Sequence, residues 1–127
     1  MKLLVVEDEI CQQEWLTRNL SNAGHEVTTA CDGDWAWTLW MSQRPFDVVV
    51  TDNLFGGKTV RNGQRLIELL RAIDPGQPFI MQTALANMDL PRGVPLLRKP
   101  YKIGRPLRIL ASGRSQRLPL LDCAQSH

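Results

Sequence analysis

The stretch Phe46-Asp47-Val48-Val49-Val50-Thr51-Asp52-Asn53 constrains the fold more than any other part of the chain. Val48, Val49 and Val50 are β-branched and apolar without alternation, the pattern of a strand covered on both faces. Asp52 follows where such a strand should leave the sheet for solvent. In an open parallel α/β sheet, ligands and chemistry collect just beyond the carboxyl ends of the strands. An Asp after a strand also commonly caps the next turn or helix. Asp52 therefore gains weight only from what else reaches the same edge.

Leu3 to Val6 form an apolar run that opens into Glu7-Asp8-Glu9. From Ile10 to Asn22, Trp15, Leu16 and Leu20 recur at roughly helical spacing, and Ala23-Gly24 closes that helix. Glu26 to Ala30 reads as a short strand. Asp32-Gly33-Asp34 starts a second helix, in which Trp37 and Trp40 are expected in the core and Trp35 in solvent. After Asp52 comes a long turn, Asn53 to Asn62. From Gly63, Leu66, Ile67, Leu69, Leu70 and Ile73 build an apolar helical face that Asp74-Pro75-Gly76 stops. Pro78 to Met81 is a fourth strand ending in Gln82-Thr83-Ala84, and Val94 to Leu97 a fifth ending in Arg98-Lys99-Pro100-Tyr101. A last helix begins near Pro106 and ends at Ser112-Gly113. Repeated strand–helix units with buried strands imply one α/β domain, a parallel sheet with helices on both faces.

Charge divides the chain. Residues 1–91 hold 7 Lys and Arg against 12 Asp and Glu, and residues 92–127 hold 8 against 1. A cation site belongs in the acidic part, while the basic end invites an acidic partner or is a solvated face. Cys11, Cys31 and Cys123 show no metal-type spacing and read as free thiols of a reducing compartment. No signal peptide precedes the first strand, and no apolar run approaches the ~18 residues of a membrane helix. A cytoplasmic protein is expected.

Four strands deliver polar residues to one edge: Glu7 and Asp8, Asp52, Thr83, and Lys99. Three carboxylates brought together repel unless a cation shares the site, and an all-oxygen, partly hydrated pocket suits Mg2+ better than zinc or copper. Lys99 adds a compact positive charge and Thr83 a hydroxyl. Such a set fits phosphoryl transfer, where charge on the equatorial oxygens must be neutralised, and an Asp can itself accept the group.

The set Leu4-Val5-Val6-Glu7-Asp8-Glu9, Val50-Thr51-Asp52, Thr83-Ala84 and Lys99-Pro100-Tyr101 resembles the receiver domain of two-component response regulators, over roughly residues 1–112. The resemblance implies a doubly wound five-stranded parallel sheet of order 2-1-3-4-5, flavodoxin- or CheY-like, followed by a tail over 113–127. It implies Asp52 as the phosphoacceptor of a histidine kinase or histidine phosphotransfer protein. Asp8 and Asp52 would ligate Mg2+ directly and Glu7 through water, with the Leu54 backbone carbonyl completing the protein ligands. Lys99 would pair with the phosphoryl group, Thr83 would swing toward it, and the Lys99–Pro100 bond would be cis.

The sequence departs from the family pattern in three places. The loop after Asp52 is longer than usual, with Gly56 where proline is common. Lys99 follows Thr83 by only 16 residues, so the fourth helix is expected to be shortened or absent. Leu96 stands where the family carries an aromatic switch residue. A stand-alone, non-enzymatic signalling module is expected, a monomer or weak dimer without direct nucleic-acid binding, its partner docking near the first helix and the Asn53–Asn62 loop. Leu118, Leu120 and Leu121 are expected to cover apolar surface that the missing helix exposes. Two alternatives stand beside this reading. One is a receiver-like binding module that works without phosphorylation. The other is a phosphatase of the haloacid dehalogenase type, which needs a general acid two residues after its nucleophile, where this chain has Leu54.

Overall fold

The computed structural model describes residues 1–85 and 88–112. Five strands, β1 (Lys2–Val6), β2 (Glu26–Ala30), β3 (Val48–Asp52), β4 (Phe79–Thr83) and β5 (Leu96–Arg98), form one sheet. Its order is β2-β1-β3-β4-β5 and every pairing is parallel. Four helices, α1 (Ile10–Asn22), α2 (Gly33–Gln43), α3 (Gly63–Ile73) and α4 (Gly104–Ser112), complete the described elements. The doubly wound architecture is as expected, with no helix described between β4 and β5. Among the described residues, no helix is long and apolar enough to cross a membrane.

The unalternating strands are explained by two cores, one on each side of the sheet. Leu4, Val6, Val49, Phe79 and Met81 pack with Ala36 and Trp40 of α2 and with Leu66, Ile67 and Leu70 of α3. Leu3, Val5, Val48, Val50 and Ile80 face the other way, against Leu16 and Leu20 of α1 and Ile109 and Leu110 of α4. Because successive strand side chains alternate faces, apolar residues are needed at consecutive positions, each worth ~1.5–3 kcal/mol when fully buried. Trp40 is fully buried and Trp35 is exposed, while Trp37 packs at the margin of the first core. Gly24 takes the left-handed conformation (φ +97°) after α1, as its position predicts.

Between β4 and β5, residues 88–95 form an irregular strap against α3. Met88, Leu90 and Val94 cover the first core. The Gln64 side chain donates to the Asp89 carbonyl at 2.7 Å, and Arg71 to the Arg92 carbonyl at 2.8 Å. The strap thus does the covering work of a helix with fewer residues. β5 starts at Leu96 rather than Val94, since Pro95 has no N–H for the ladder. α4 starts at Gly104, two residues before Pro106, which still lies in the first turn where backbone donors have no helical partner. Arg98, Lys102, Arg105 and Arg108 are exposed. Arg114, Arg117, Leu118, Leu120, Leu121 and Cys123 lie outside the described residues, and Cys11 and Cys31 are free and exposed.

The long loop between β3 and α3 is folded back on α2. Phe55 and Val60 enter the first core, and the Asp34 carboxylate accepts from the backbone N–H groups of Lys58, Thr59 and Val60 at 2.7, 3.2 and 2.7 Å. Gly33 is required there, since a Cβ would sit 2.2 Å from the Val60 carbonyl oxygen. The hydrogen bonds from Val60 and Lys58 hold the Asp34 carboxyl below its ordinary value. The tie is therefore complete above the usual Asp range and is lost only as the pH falls below it. Asp34→Ala is expected to free the loop, so that trypsin cleaves after Lys58 and Arg61 severalfold faster at neutral pH. Unchanged cleavage would mean that Phe55 and Val60 alone hold it.

Candidate functional site

Each residue of the carboxyl edge is delivered by the end of a strand. β1 releases Glu7 and Asp8 and β3 ends on Asp52. β4 ends on Thr83, and Lys99 follows β5 directly. The first helix is capped by Glu9, whose carboxylate accepts from the Cys11 and Gln12 N–H groups at 3.1 and 2.8 Å. Asn62 caps α3 in the same way. Glu7, Asp8 and Asp52 are therefore not spent as helix caps.

Glu7, Asp8 and Asp52 each offer a carboxylate oxygen within 4.8 Å of the other two. Glu7 is fully buried and Asp52 nearly so, while Asp8 is exposed. Lys99 Nζ donates to Glu7 Oε1 at 2.8 Å and to Asp52 Oδ2 at 3.1 Å. The second Asp52 oxygen accepts from the Asn53 N–H at 3.0 Å. One ammonium thus faces three carboxylates, and the balance of the site remains negative. Burial, then the hydrogen bond and charge of Glu7, push the Asp8 carboxyl above its ordinary value, with Lys99 opposing. Burial opposes the charge on Lys99, yet its hydrogen bond to Glu7 and the charges of Asp52 and Glu7 outweigh that and hold it above its ordinary value.

The donor set fits a hard divalent cation. It is all oxygen, it carries surplus negative charge, and Asp8 leaves one side open to water. Leu54 extends its side chain into solvent and its backbone pairs with Asn62 in an isolated bridge. Thr83 is buried at the rim, where its hydroxyl accepts from the Leu85 N–H at 3.1 Å in a local turn. The short β4–β5 connection does not displace Lys99. Its N–H bonds to the Thr83 carbonyl at 2.7 Å, and the Lys99–Pro100 peptide is cis.

Two residues at the site carry no assignment from the sequence. Gln82 is fully buried on β4; its Nε2 donates to Glu7 Oε1 at 3.2 Å and its Oε1 accepts from the Tyr101 hydroxyl. Burial pushes the Tyr101 hydroxyl above its ordinary value and keeps it a donor. A lone glutamine in the apolar run Phe79-Ile80-Met81 was the available signal, because a buried amide requires partners.

A family model, that of the response regulator receiver domain, matches residues 3–94. The transcriptional regulatory protein CusR of Escherichia coli strain K12 is 34% identical over 89 residues, 70% of this chain and 37% of CusR. The chain spans little more than a third of the length of such curated relatives. The solved receiver domain of NtrX from Brucella abortus is 28% identical, covering 88% of this chain and 96% of that one with a TM-score of 0.76. TrrA of Thermotoga maritima, solved in complex with Mg2+-BeF, shares the fold at 23% identity and a TM-score of 0.77, over 87% of this chain and 96% of that one.

Proposed function

The chain belongs to the response regulator receiver family, and on that premise we propose that it takes a phosphoryl group on Asp52 in a Mg2+-dependent reaction. The donor is a histidine kinase or a histidine phosphotransfer protein, and the output is a protein–protein contact. Residues 1–112 form the receiver domain and 113–127 a tail. The observation that supports this reading best is the meeting of three carboxylates within 4.8 Å with one lysine that bonds two of them.

In the reaction, an Asp52 carboxylate oxygen attacks the phosphorus of the donor. The bond from phosphorus to the donor imidazole breaks, and its electron pair returns to the ring nitrogen. Asp8 and Asp52 would hold Mg2+ directly and Glu7 through water, with the Leu54 carbonyl completing the protein ligands. The cation supplies neutralisation of charge on the transferring phosphoryl oxygens. Lys99 contributes its ammonium to the same oxygens. The Thr83 hydroxyl leaves its local turn to donate to the new group. Incubation with acetyl phosphate followed by intact-mass analysis tests the proposal. One phosphoryl group is expected with Mg2+ and none with chelator. Labelling that ignores the chelator would contradict a metal-dependent site.

Leu54 and Leu85 flank the site with exposed apolar side chains, and neither can orient a hydrolytic water. The aspartyl phosphate is therefore expected to decay slowly. Leu54→Asn and Leu85→Glu should accelerate its decay several-fold in a time course followed by mass. Decay unchanged in both would place the control of water elsewhere. The same apolar Leu54 speaks against a phosphatase, which needs an acid at that position.

A further inference from the structure

We infer that Gln82 is a positioning residue of the acidic pocket, and that its amide carries the pocket's occupancy to Tyr101 and the surface cleft beside Trp15. The inference rests on the reading of the pocket as a Mg2+ site.

The Gln82 side chain cannot turn over. Its Nε2 faces a carboxylate that only accepts, and its Oε1 faces a hydroxyl that donates. Residues from four segments are thereby fixed in one line, Asp52–Lys99–Glu7–Gln82–Tyr101. Glu7 Oε1 is the shared point, since it takes both the Lys99 ammonium and the Gln82 amide. The other Glu7 oxygen accepts from the Glu9 N–H at 3.1 Å. Any cation that draws on the Glu7 carboxylate competes for the oxygen to which Gln82 donates. A change at Glu7 therefore reaches Gln82, whose only other side-chain partner among those described is Tyr101.

Tyr101 is the exit. Its ring lies 5.8 Å from that of Trp15 on α1, inclined at 60°. Together with Gln12, Ala84, Lys99 and Pro100 these two side chains line an open cleft of about 480 Å³. The path avoids Leu96, which has no polar group to report the state of the site.

Mg2+ titrated into the full chain, followed by calorimetry and by tryptophan emission, tests the inference. In the wild type, binding is expected to change the emission, and Trp15→Phe should remove that change although Trp35, Trp37 and Trp40 remain. Gln82→Leu should weaken Mg2+ binding roughly tenfold, as loss of an outer hydrogen-bond partner does to a metal ligand, and should abolish the emission change at saturation. Tyr101→Phe should bind Mg2+ nearly as the wild type does yet lose the emission change. This variant keeps the test decisive if Gln82→Leu does not fold. An emission change retained in Tyr101→Phe overturns the relay, as does Mg2+ binding by the wild type without any signal from Trp15. A wild-type chain that binds no Mg2+ overturns the reading of the pocket itself, and the relay with it.

Discussion

Asp52→Asn is expected to abolish phosphoryl incorporation from acetyl phosphate while leaving the fold intact. The amide keeps the size of the side chain and its bond from the Asn53 N–H, but its oxygen is no longer an anionic nucleophile. The substitution also removes one of three negative charges lying within 4.8 Å of one another, at the loss of one bond from Lys99. Lys99 retains Glu7 at 2.8 Å. Relief of repulsion should offset the lost contact, so thermal stability in chelator should be no lower than that of the wild type. Stable protein without label would tie the loss to the acceptor; undiminished label would show that another group accepts the phosphoryl.

Lys99→Ala should produce the largest loss of stability among the site variants, read most clearly in chelator. It leaves Glu7 fully buried beside two carboxylates with no counter-charge. Removing one partner of a buried ion pair costs ~3–5 kcal/mol. The Lys99 side chain is 23% exposed, which places the expected cost at the low end, ~2–3 kcal/mol. For a domain of this size that lowers the midpoint by roughly 10 °C in chelator. Mg2+ at about 100 times its dissociation constant contributes ~2.7 kcal/mol, so the variant saturated with the ion should melt near the metal-free wild type. Melting curves with and without Mg2+ read this directly. A variant as stable as the wild type in chelator would mean that the lysine does not balance the pocket.

How much of this could be read from the residues differs by element. β3 was legible because burial on both faces demands Val at successive positions. The edge was legible because each polar residue directly follows an apolar run. Gly24 and the Asp74-Pro75-Gly76 stop are local chemistry, which spacing reveals. The shortened β4–β5 connection was legible as a length, but the strap that fills it was not, since Gln64 and Arg71 bond to backbone carbonyls that no pattern marks. Asp34 read as helix-start chemistry; its grip on the loop appears only when Lys58, Thr59 and Val60 fold back on it. Gln82 and Tyr101 stayed without a role for the same reason. Their partner Glu7 is 75 positions from Gln82, and contacts at that separation are set by sheet order rather than by periodicity.

The central claim is that Asp52 itself carries the phosphoryl group, and reduction by borohydride locates an aspartyl phosphate chemically. The chain is treated with acetyl phosphate and Mg2+, reduced so that the acyl phosphate becomes an alcohol, and mapped by peptide mass spectrometry. Homoserine at position 52, present with Mg2+ and missing with chelator, is the predicted result. Homoserine at position 8, or at no position in a chain shown to bind Mg2+, would contradict it.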